Sequence, residues 1–154
     1  MEVKTVKPQK IFYHSEVTTM NDIKAVADRE IDNLCKDAEK LGLKETGPMQ
    51  FVYYGCDDKM DTRFTLEIAM VVDQEKHYDG KYKFKELEGF TCVSTVHNGD
   101  INKIGATYEQ FMPEVFKSGK QVTDQSREVY HKWVSPESAE NVTEIQVGIN
   151  STII

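Results

Sequence analysis

The chain has 154 residues, of which 39% are hydrophobic, and this size and composition suit one compact domain spanning residues 1–154. Its formal net charge of −7 disfavours direct binding to nucleic acid, because an acidic surface repels phosphate backbones. No apolar run approaches the roughly 18 residues that span a membrane, and the first ten residues lack the apolar core of a signal peptide. We therefore expect a cytoplasmic protein with no membrane partner.

The three cysteines are Cys35, Cys56 and Cys92, and they are far apart with no CxxC pair. This spacing argues against a disulfide framework and against a structural zinc site. We expect reduced and mostly buried thiols. The sequence also contains no recognised phosphate loop or metal motif, so we predict neither a metal nor a cofactor.

The first half of the chain predicts a strand, a helix and a hairpin. Residues 10–19 are rich in β-formers, and apolar side chains then recur at helical spacing from residue 23 until Gly42. Two extended runs follow, at 49–54 and 63–73, with a polar turn between them. This half therefore predicts a β-α-β-β unit.

The second half repeats the same order. Residues 81–96 carry the β pattern, a turn follows at 97–100, and an apolar stripe of helical spacing runs from residue 101 until Gly119. Residues 127–133 and 142–149 predict the closing strands. Pro113 lies inside the helical stripe and predicts a distortion there, because proline lacks a backbone donor.

Short matches at a fixed offset link the two halves. Residues 51–53 align with residues 128–130, and 67–68 align with 144–145, both at an offset of 77. We therefore predict an α+β fold made by tandem duplication, with pseudo-repeats at about 9–75 and 81–150. Two such units commonly pack about a pseudo-twofold axis, which predicts two antiparallel sheets and two main helices flanking a central ligand groove.

The groove is expected to hold one carboxylate among aromatic rings. Glu128 and Tyr130 share a face of their strand because side chains alternate, and Phe51 and Tyr53 hold the equivalent face in the first half. Such a carboxylate can recognise a lipophilic cation, with help from cation–π attraction, or can act as a general acid or base. A third interpretation is an ordinary ion pair between Glu128 and a nearby lysine or arginine on an exposed strand.

Four further residues are candidates for the groove with weaker support. Tyr54 and Trp133 either close its rim or pack beneath a helix. Tyr108 belongs to the second helical stripe, where a core role is at least as common as contact with a ligand. His97 precedes the turn into that helix, where a histidine more often makes local hydrogen bonds than takes part in catalysis.

Several motifs in order give the chain a family resemblance. They are Gly47-Pro48, Phe51-Val52-Tyr53-Tyr54-Gly55, His97-Asn98-Gly99, Thr107-Tyr108, Glu128-Val129-Tyr130 and Thr143-Glu144-Ile145-Gln146-Val147. Together they resemble the GyrI-like effector-binding domain over nearly the whole chain. The chain departs from the family pattern at Gly148 and at Gln125 or Ser126, where members often have proline, and these changes affect strand ends more than the groove.

The resemblance implies a function as well as a fold. Members occur alone or fused to AraC-type or MerR-type DNA-binding helices, and they bind amphipathic, often cationic or aromatic, small molecules. The family's groove glutamate corresponds to Glu128. Because the sensor-like domain uses all 154 residues, we do not expect direct transcriptional control by this chain alone.

The resemblance also implies two alternatives. Some stand-alone relatives hydrolyse strained cyclopropane-containing electrophiles with the groove glutamate and a tyrosine, which here would be Glu128 with Tyr130 or Tyr53. No Ser-His or Cys-His nucleophile pair is evident, so catalysis would rest on the carboxylate and a phenol. The gyrase-linked members imply a protein partner instead.

Overall fold

A computed structural model describes residues 1–150 of the chain as an α+β fold with two helices and eight strands. The strands are β1 (Glu2–Val6), β2 (Gln9–Thr18), β3 (Gln50–Tyr54), β4 (Phe64–Val71), β5 (Lys83–Leu87), β6 (Phe90–Asn98), β7 (Val122–Lys132) and β8 (Val142–Ile149). The helices are α1 (Ile23–Lys40) and α2 (Ile104–Lys117), and a short 3₁₀ turn (Ile101–Lys103) precedes α2. Residues 151–154, the end of the predicted 1–154 domain, lie outside the described residues.

The eight strands form one antiparallel sheet in the order β1-β6-β8-β7-β3-β4-β2-β5. The prediction of two sheets is therefore wrong. The halves join because β3 pairs directly with β7, which places Phe51 opposite Glu128. The element order β-α-β-β does recur in both halves, at β2-α1-β3-β4 and β6-α2-β7-β8.

The sheet is curled, which brings its two edges together. The β5–β6 connection meets the β1–β2 connection so closely that a Cβ on Gly89 would lie 2.5 Å from the carbonyl oxygen of Val6. Only glycine permits this approach of two backbones. Because β1 pairs with β6 and β2 pairs with β5, the β1–β2 and β5–β6 connections join the two edges of the sheet, which is curled into a half-barrel.

The predicted elements differ from the observed ones mainly at the sheet edges. The single strand predicted over 81–96 is two strands, because Glu88-Gly89 turns the chain between β5 and β6. The short β1 was not predicted, and β7 begins at Val122, five residues before its predicted start. Helix α2 continues through Pro113, which lies on its exposed side.

Both helices cover the same face of the sheet. Helix α1 buries Val26 and Leu34 against the first half, and α2 buries Phe111 and Val115 against the second. The opposite face, inside the curl, carries a smaller apolar cluster of Ile11, Val52, Ala69, Val71 and Leu87. Neither helix among residues 1–150 is long and apolar enough to cross a bilayer.

Candidate functional site

Three tyrosine hydroxyls surround one carboxylate between the sheet and α2. Glu128 Oε1 accepts hydrogen bonds from Tyr53 at 3.0 Å and from Tyr130 at 2.7 Å. Glu128 Oε2 accepts a hydrogen bond from Tyr108 at 2.7 Å. We call Glu128 with these three residues the tyrosine cluster.

Strand alternation and helix packing assemble this cluster. Glu128 and Tyr130 are two positions apart on β7, and Tyr53 lies on the same face of the neighbouring β3. Tyr108 comes from α2, which places it over the sheet on the apolar stripe that also buries Phe111. Residues from three elements of both halves therefore converge on one carboxylate.

The carboxylate is buried without a cationic partner. Only 7% of Glu128 is exposed, and no lysine, arginine or histidine among residues 1–150 forms an ion pair with it. Its partners are neutral phenols. Burial, followed by the negative charge of Glu128, raises the pKa of Tyr53, Tyr108 and Tyr130 well above 10, so the phenols keep their protons.

Two further aromatic side chains pack against Tyr130 of the tyrosine cluster. The ring of Phe51 packs edge-on against Tyr130 with centroids 5.1 Å apart, and Phe51 is itself buried. Trp133 packs against the same tyrosine at 5.9 Å and is 47% exposed. Trp133 therefore forms an aromatic rim that connects the buried cluster with the surface.

Tyr54 is a predicted groove residue that does not join the tyrosine cluster. Tyr54 points to the opposite face of β3, where its hydroxyl donates to Glu67 and accepts from Gln125. The strand alternation that selects Tyr53 excludes Tyr54. Tyr54 therefore lies on the face of the sheet opposite Glu128.

His97 is buried and makes local hydrogen bonds. Its Nε2 donates to the carbonyl of Asp100 at 2.8 Å, and its Nδ1 accepts from the Thr107 hydroxyl at 2.7 Å. These bonds tie the end of β6 to the first turns after it. This is the local hydrogen-bonding role that the sequence favoured for a histidine before a helix.

Sequence reasoning missed another buried carboxylate, Glu30, which is 0% exposed. Its carboxylate accepts hydrogen bonds from Lys81 at 2.5 Å, Arg29 at 2.7 Å and Tyr82 at 2.9 Å. Burial opposes its ionisation, but these bonds outweigh burial and lower its pKa to about 2. The sequence does indicate that Glu30 is buried, because it falls between Val26 and Leu34 on the buried stripe of α1.

Glu144 is another buried carboxylate with a cationic partner. Lys4 lies 2.5 Å and His131 2.8 Å from its oxygens, and Ser94 and Gln146 also donate to it. Burial again opposes ionisation, but the bonds lower its pKa to about 2. The alternation of β8 places it on the face opposite the tyrosine cluster.

One group of side chains has the spacing of a metal site. His14, Glu16 and Glu30 offer ligand atoms within 4.8 Å of one another. Two cationic side chains, Arg29 and Lys81, already contact Glu30. Their positive charges occupy the carboxylate that a divalent ion would need, so the group is an ion-pair network.

Comparisons with known proteins agree with this architecture. The sequence profile of the GyrI-like small molecule binding domain matches residues 1–150. The C-terminal domain of EcmrR superposes with a TM-score of 0.82 at 20% identity, covering 98% of this chain and 97% of that domain. A longer EcmrR chain, solved in a DNA complex, gives 0.81 at 20% identity over 98% of this chain, which spans 57% of that one.

Two further solved structures share the fold at lower identity. SAV2435 bound to tetraphenylphosphonium has a TM-score of 0.69 at 14% identity, covering 97% of this chain and 93% of that one. A hydrolase from Listeria innocua has a TM-score of 0.58 at 14% identity, covering 97% and 91%. A search of curated protein sequences found no match.

Proposed function

Because the chain belongs to the GyrI-like small molecule binding domain family, we propose that it binds amphipathic organic cations through Glu128. The observation that carries this proposal is a buried carboxylate whose hydrogen-bond partners among residues 1–150 are all neutral phenols. The tetraphenylphosphonium bound to the similarly folded SAV2435 supports the same class of ligand.

The electrostatics of the tyrosine cluster favour a cation over other ligands. An ionised carboxylate loses hydration on burial, and phenol hydrogen bonds replace only part of it. A cationic ligand supplies the missing charge in a medium that screens poorly, and aromatic faces add cation–π attraction of roughly 0.5–2 kcal/mol. An anion in the same place would meet the charge of Glu128 and be repelled.

Access to the carboxylate requires side chains to move. Tyr53 is buried on the sheet, whereas Tyr108 is carried by α2 and Tyr130 adjoins the half-exposed Trp133. We expect a ligand to enter beside Trp133 and displace Tyr108 or Tyr130 from the carboxylate. Aromatic groups of the ligand would then pack against Phe51 and Trp133.

Tetraphenylphosphonium and tetraphenylborate provide a direct test, because they have nearly the same shape and opposite charge. We expect saturable binding of the cation, followed by Trp133 fluorescence, and at least about 10-fold weaker binding of the anion. Glu128→Gln, which keeps volume and removes charge, should weaken the cation roughly 100-fold, in line with about 2–3 kcal/mol for a charge-assisted contact.

Glu140→Gln is the matched control for this test. Glu140 is an exposed carboxylate paired with Lys132, so its removal changes the net charge equally without touching the tyrosine cluster. We expect unchanged affinity for the cation in this variant. Equal affinity of wild type for the two ions, or an unchanged cation affinity in Glu128→Gln, would contradict the proposal.

Four more detailed predictions from the sequence remain beside this proposal. Tandem duplication of a β-α-β-β unit, a stand-alone sensor role, hydrolysis of strained electrophiles by Glu128 and Tyr130, and a gyrase-inhibitor-type protein partner all stay predictions. Cation binding is placed first because Glu128 has no cationic partner within residues 1–150 and its hydrogen-bond partners there are neutral phenols.

A further inference from the structure

The flank of helix α2 next to the tyrosine cluster carries a row of apolar side chains. Side chains four residues apart on a helix are offset by only about 40°, so Tyr108, Met112 and Phe116 lie above one another. We call these three residues the α2 row. Met112 is half-buried against the core of the second half, whereas Phe116 is 62% exposed. Phe116 is the most exposed large apolar side chain within residues 1–150.

Hydrogen bonds on the two sides of α2 show which way the α2 row faces. The Thr107 hydroxyl bonds to His97 on β6, whereas the Tyr108 hydroxyl donates to Glu128 on β7. Strand β8 lies between β6 and β7, so these bonds define the two flanks of the helix. The rest of the row is rotated from Tyr108 in the direction away from Thr107. The α2 row therefore lies on the flank that faces β7 and the tyrosine cluster.

The α2 row and Trp133 lie on opposite sides of Glu128 along the groove between α2 and β7. Residues 118–121 connect the end of α2 with the start of β7, whereas Trp133 follows the end of β7. With a rise of 1.5 Å per residue, Phe116 lies about 12 Å from Tyr108 along the helix axis. A ligand on Glu128 can therefore contact Trp133 with one part and the α2 row with another.

We propose that the α2 row is a subsite for an extended apolar chain of the ligand, so that the favoured class is an elongated amphiphile with one cationic head. This inference rests on the proposed function, because the head is placed on Glu128. The row continues directly from Tyr108, whose hydroxyl bonds that carboxylate. Packing of a chain against Phe116 removes apolar surface of both molecules from water.

The width of the α2 row favours a chain over a protein partner. The row is one side chain wide, and the exposed Glu109 and Pro113 border it on the solvent side. Such a strip is far smaller than the roughly 800 Å² that each partner contributes to a stable protein interface. An alkyl chain matches both the width of the strip and its length of about 12 Å.

Methyltriphenylphosphonium and decyltriphenylphosphonium test this subsite, because they share a cationic head and differ only in the chain. We expect wild type to bind the decyl compound at least about 30-fold more tightly in calorimetry, since each fully buried methylene strengthens binding about fourfold. In ¹³C NMR spectra, the Met112 methyl signal should shift saturably with the decyl compound and much less with the methyl compound.

Phe116→Ala should reduce the advantage of the decyl compound about 5- to 10-fold and leave the affinity for the methyl compound unchanged. Phe116→Leu, which keeps a large apolar side chain, should restore most of that advantage. Because Phe116 is mostly exposed, both substitutions leave the core intact. Val96→Ala is the matched control and should change neither affinity, since Val96 is 48% exposed on the opposite face of the sheet, beside Glu144.

The other outcomes separate this subsite from the charge of Glu128. Equal binding of the two compounds, or an undiminished decyl advantage in Phe116→Ala, would overturn the subsite and leave the cation site in place. A decyl advantage that requires Phe116, with affinities unchanged in Glu128→Gln, would keep the subsite and overturn the proposed function. Binding of neither compound would overturn both. A dimer in size-exclusion chromatography that Phe116→Ala dissociates would assign the α2 row to an interface between copies of this chain and overturn the subsite.

Discussion

Glu128 and Glu30 are both buried carboxylates, yet their surroundings differ in one respect. Glu30 receives hydrogen bonds from two cationic side chains and one tyrosine, whereas Glu128 receives them from three tyrosines. Glu144 resembles Glu30, since Lys4 and His131 accompany it. Glu67 is likewise buried and is paired with Lys85. Within residues 1–150, the fold therefore pairs three buried glutamates with its own cations and leaves Glu128 without one.

This difference separates structural from binding roles. At Glu30, bonds from Lys81 and Arg29 overcome the effect of burial and bring the pKa to about 2, so its negative charge helps to hold α1 on the sheet. Glu128 accepts hydrogen bonds from neutral phenols only. Its charge is therefore available to stabilise a cation that enters the tyrosine cluster.

Glu30→Gln should have the largest effect on stability. The substitution leaves Lys81 without a negative partner and Arg29 with only Glu16, and we expect a loss of about 2 kcal/mol in the free energy of unfolding at pH 7. The loss is smaller than for a fully buried pair because both cations are about half exposed and can turn to water. Urea unfolding measures it.

The pH dependence of this effect has a definite sign. Because the pKa of Glu30 is lowered from 4.5 to about 2 on folding, its contribution is complete above pH 4.5 and is lost as pH falls towards 2. The stability difference between wild type and Glu30→Gln should therefore shrink over that interval. The control is Glu140→Gln, which removes only an exposed ion pair and should change the free energy of unfolding by at most about 0.5 kcal/mol. If the stability difference between wild type and Glu30→Gln did not depend on pH, the role assigned to Glu30 would be contradicted.

Much of the tyrosine cluster could be predicted from sequence because strand alternation is a local rule. Tyr53, Glu128 and Tyr130, with the adjoining Phe51, follow from that rule together with the offset of 77. The contact with Tyr108 depends on how α2 lies across the sheet, and the helical stripe alone does not distinguish a core tyrosine from one that reaches a carboxylate.

Contacts between segments that are distant in the sequence were harder to predict. A single sheet instead of two follows from the pairing of β3 with β7, a contact between segments more than seventy residues apart that no local pattern specifies. The ion pairs of Glu30 depend likewise on Lys81, which is remote in sequence and lies near α1 because β5 pairs with β2. Both the single sheet and the ion pairs of Glu30 therefore depend on long-range contacts and not on local propensity.

Tyr108→Phe should change the affinity for the cation by an intermediate amount. The change should be in the direction opposite to that caused by Glu128→Gln. The ring stays, but Glu128 Oε2 loses the hydrogen bond that a cation must displace or share. We therefore expect affinity for tetraphenylphosphonium to rise about 3- to 10-fold, or about 1 kcal/mol, measured by calorimetry. Tyr54→Phe, on the other face of the sheet, is the control and should leave the affinity unchanged; weaker binding in Tyr108→Phe would mean that the hydroxyl itself contacts the ligand.

Glu128→Gln should have a much smaller effect on stability than Glu30→Gln, even though it alters a residue as buried as Glu144. Glutamine keeps the volume and one carbonyl oxygen, and its amide group can donate to a phenol oxygen, so each hydroxyl of the tyrosine cluster can rotate to a partner. No cation within residues 1–150 loses a partner, in contrast to Glu30→Gln. Removing a buried charge that has no cationic partner also relieves a desolvation cost, which offsets the loss of the charge-assisted hydrogen bonds.

We therefore expect the free energy of unfolding of Glu128→Gln in urea at pH 7 to differ from that of wild type by less than about 0.5 kcal/mol, in either direction. A loss of about 2 kcal/mol, equal to that of Glu30→Gln, would place Glu128 among the structural carboxylates and would remove the physical basis for assigning it to a ligand.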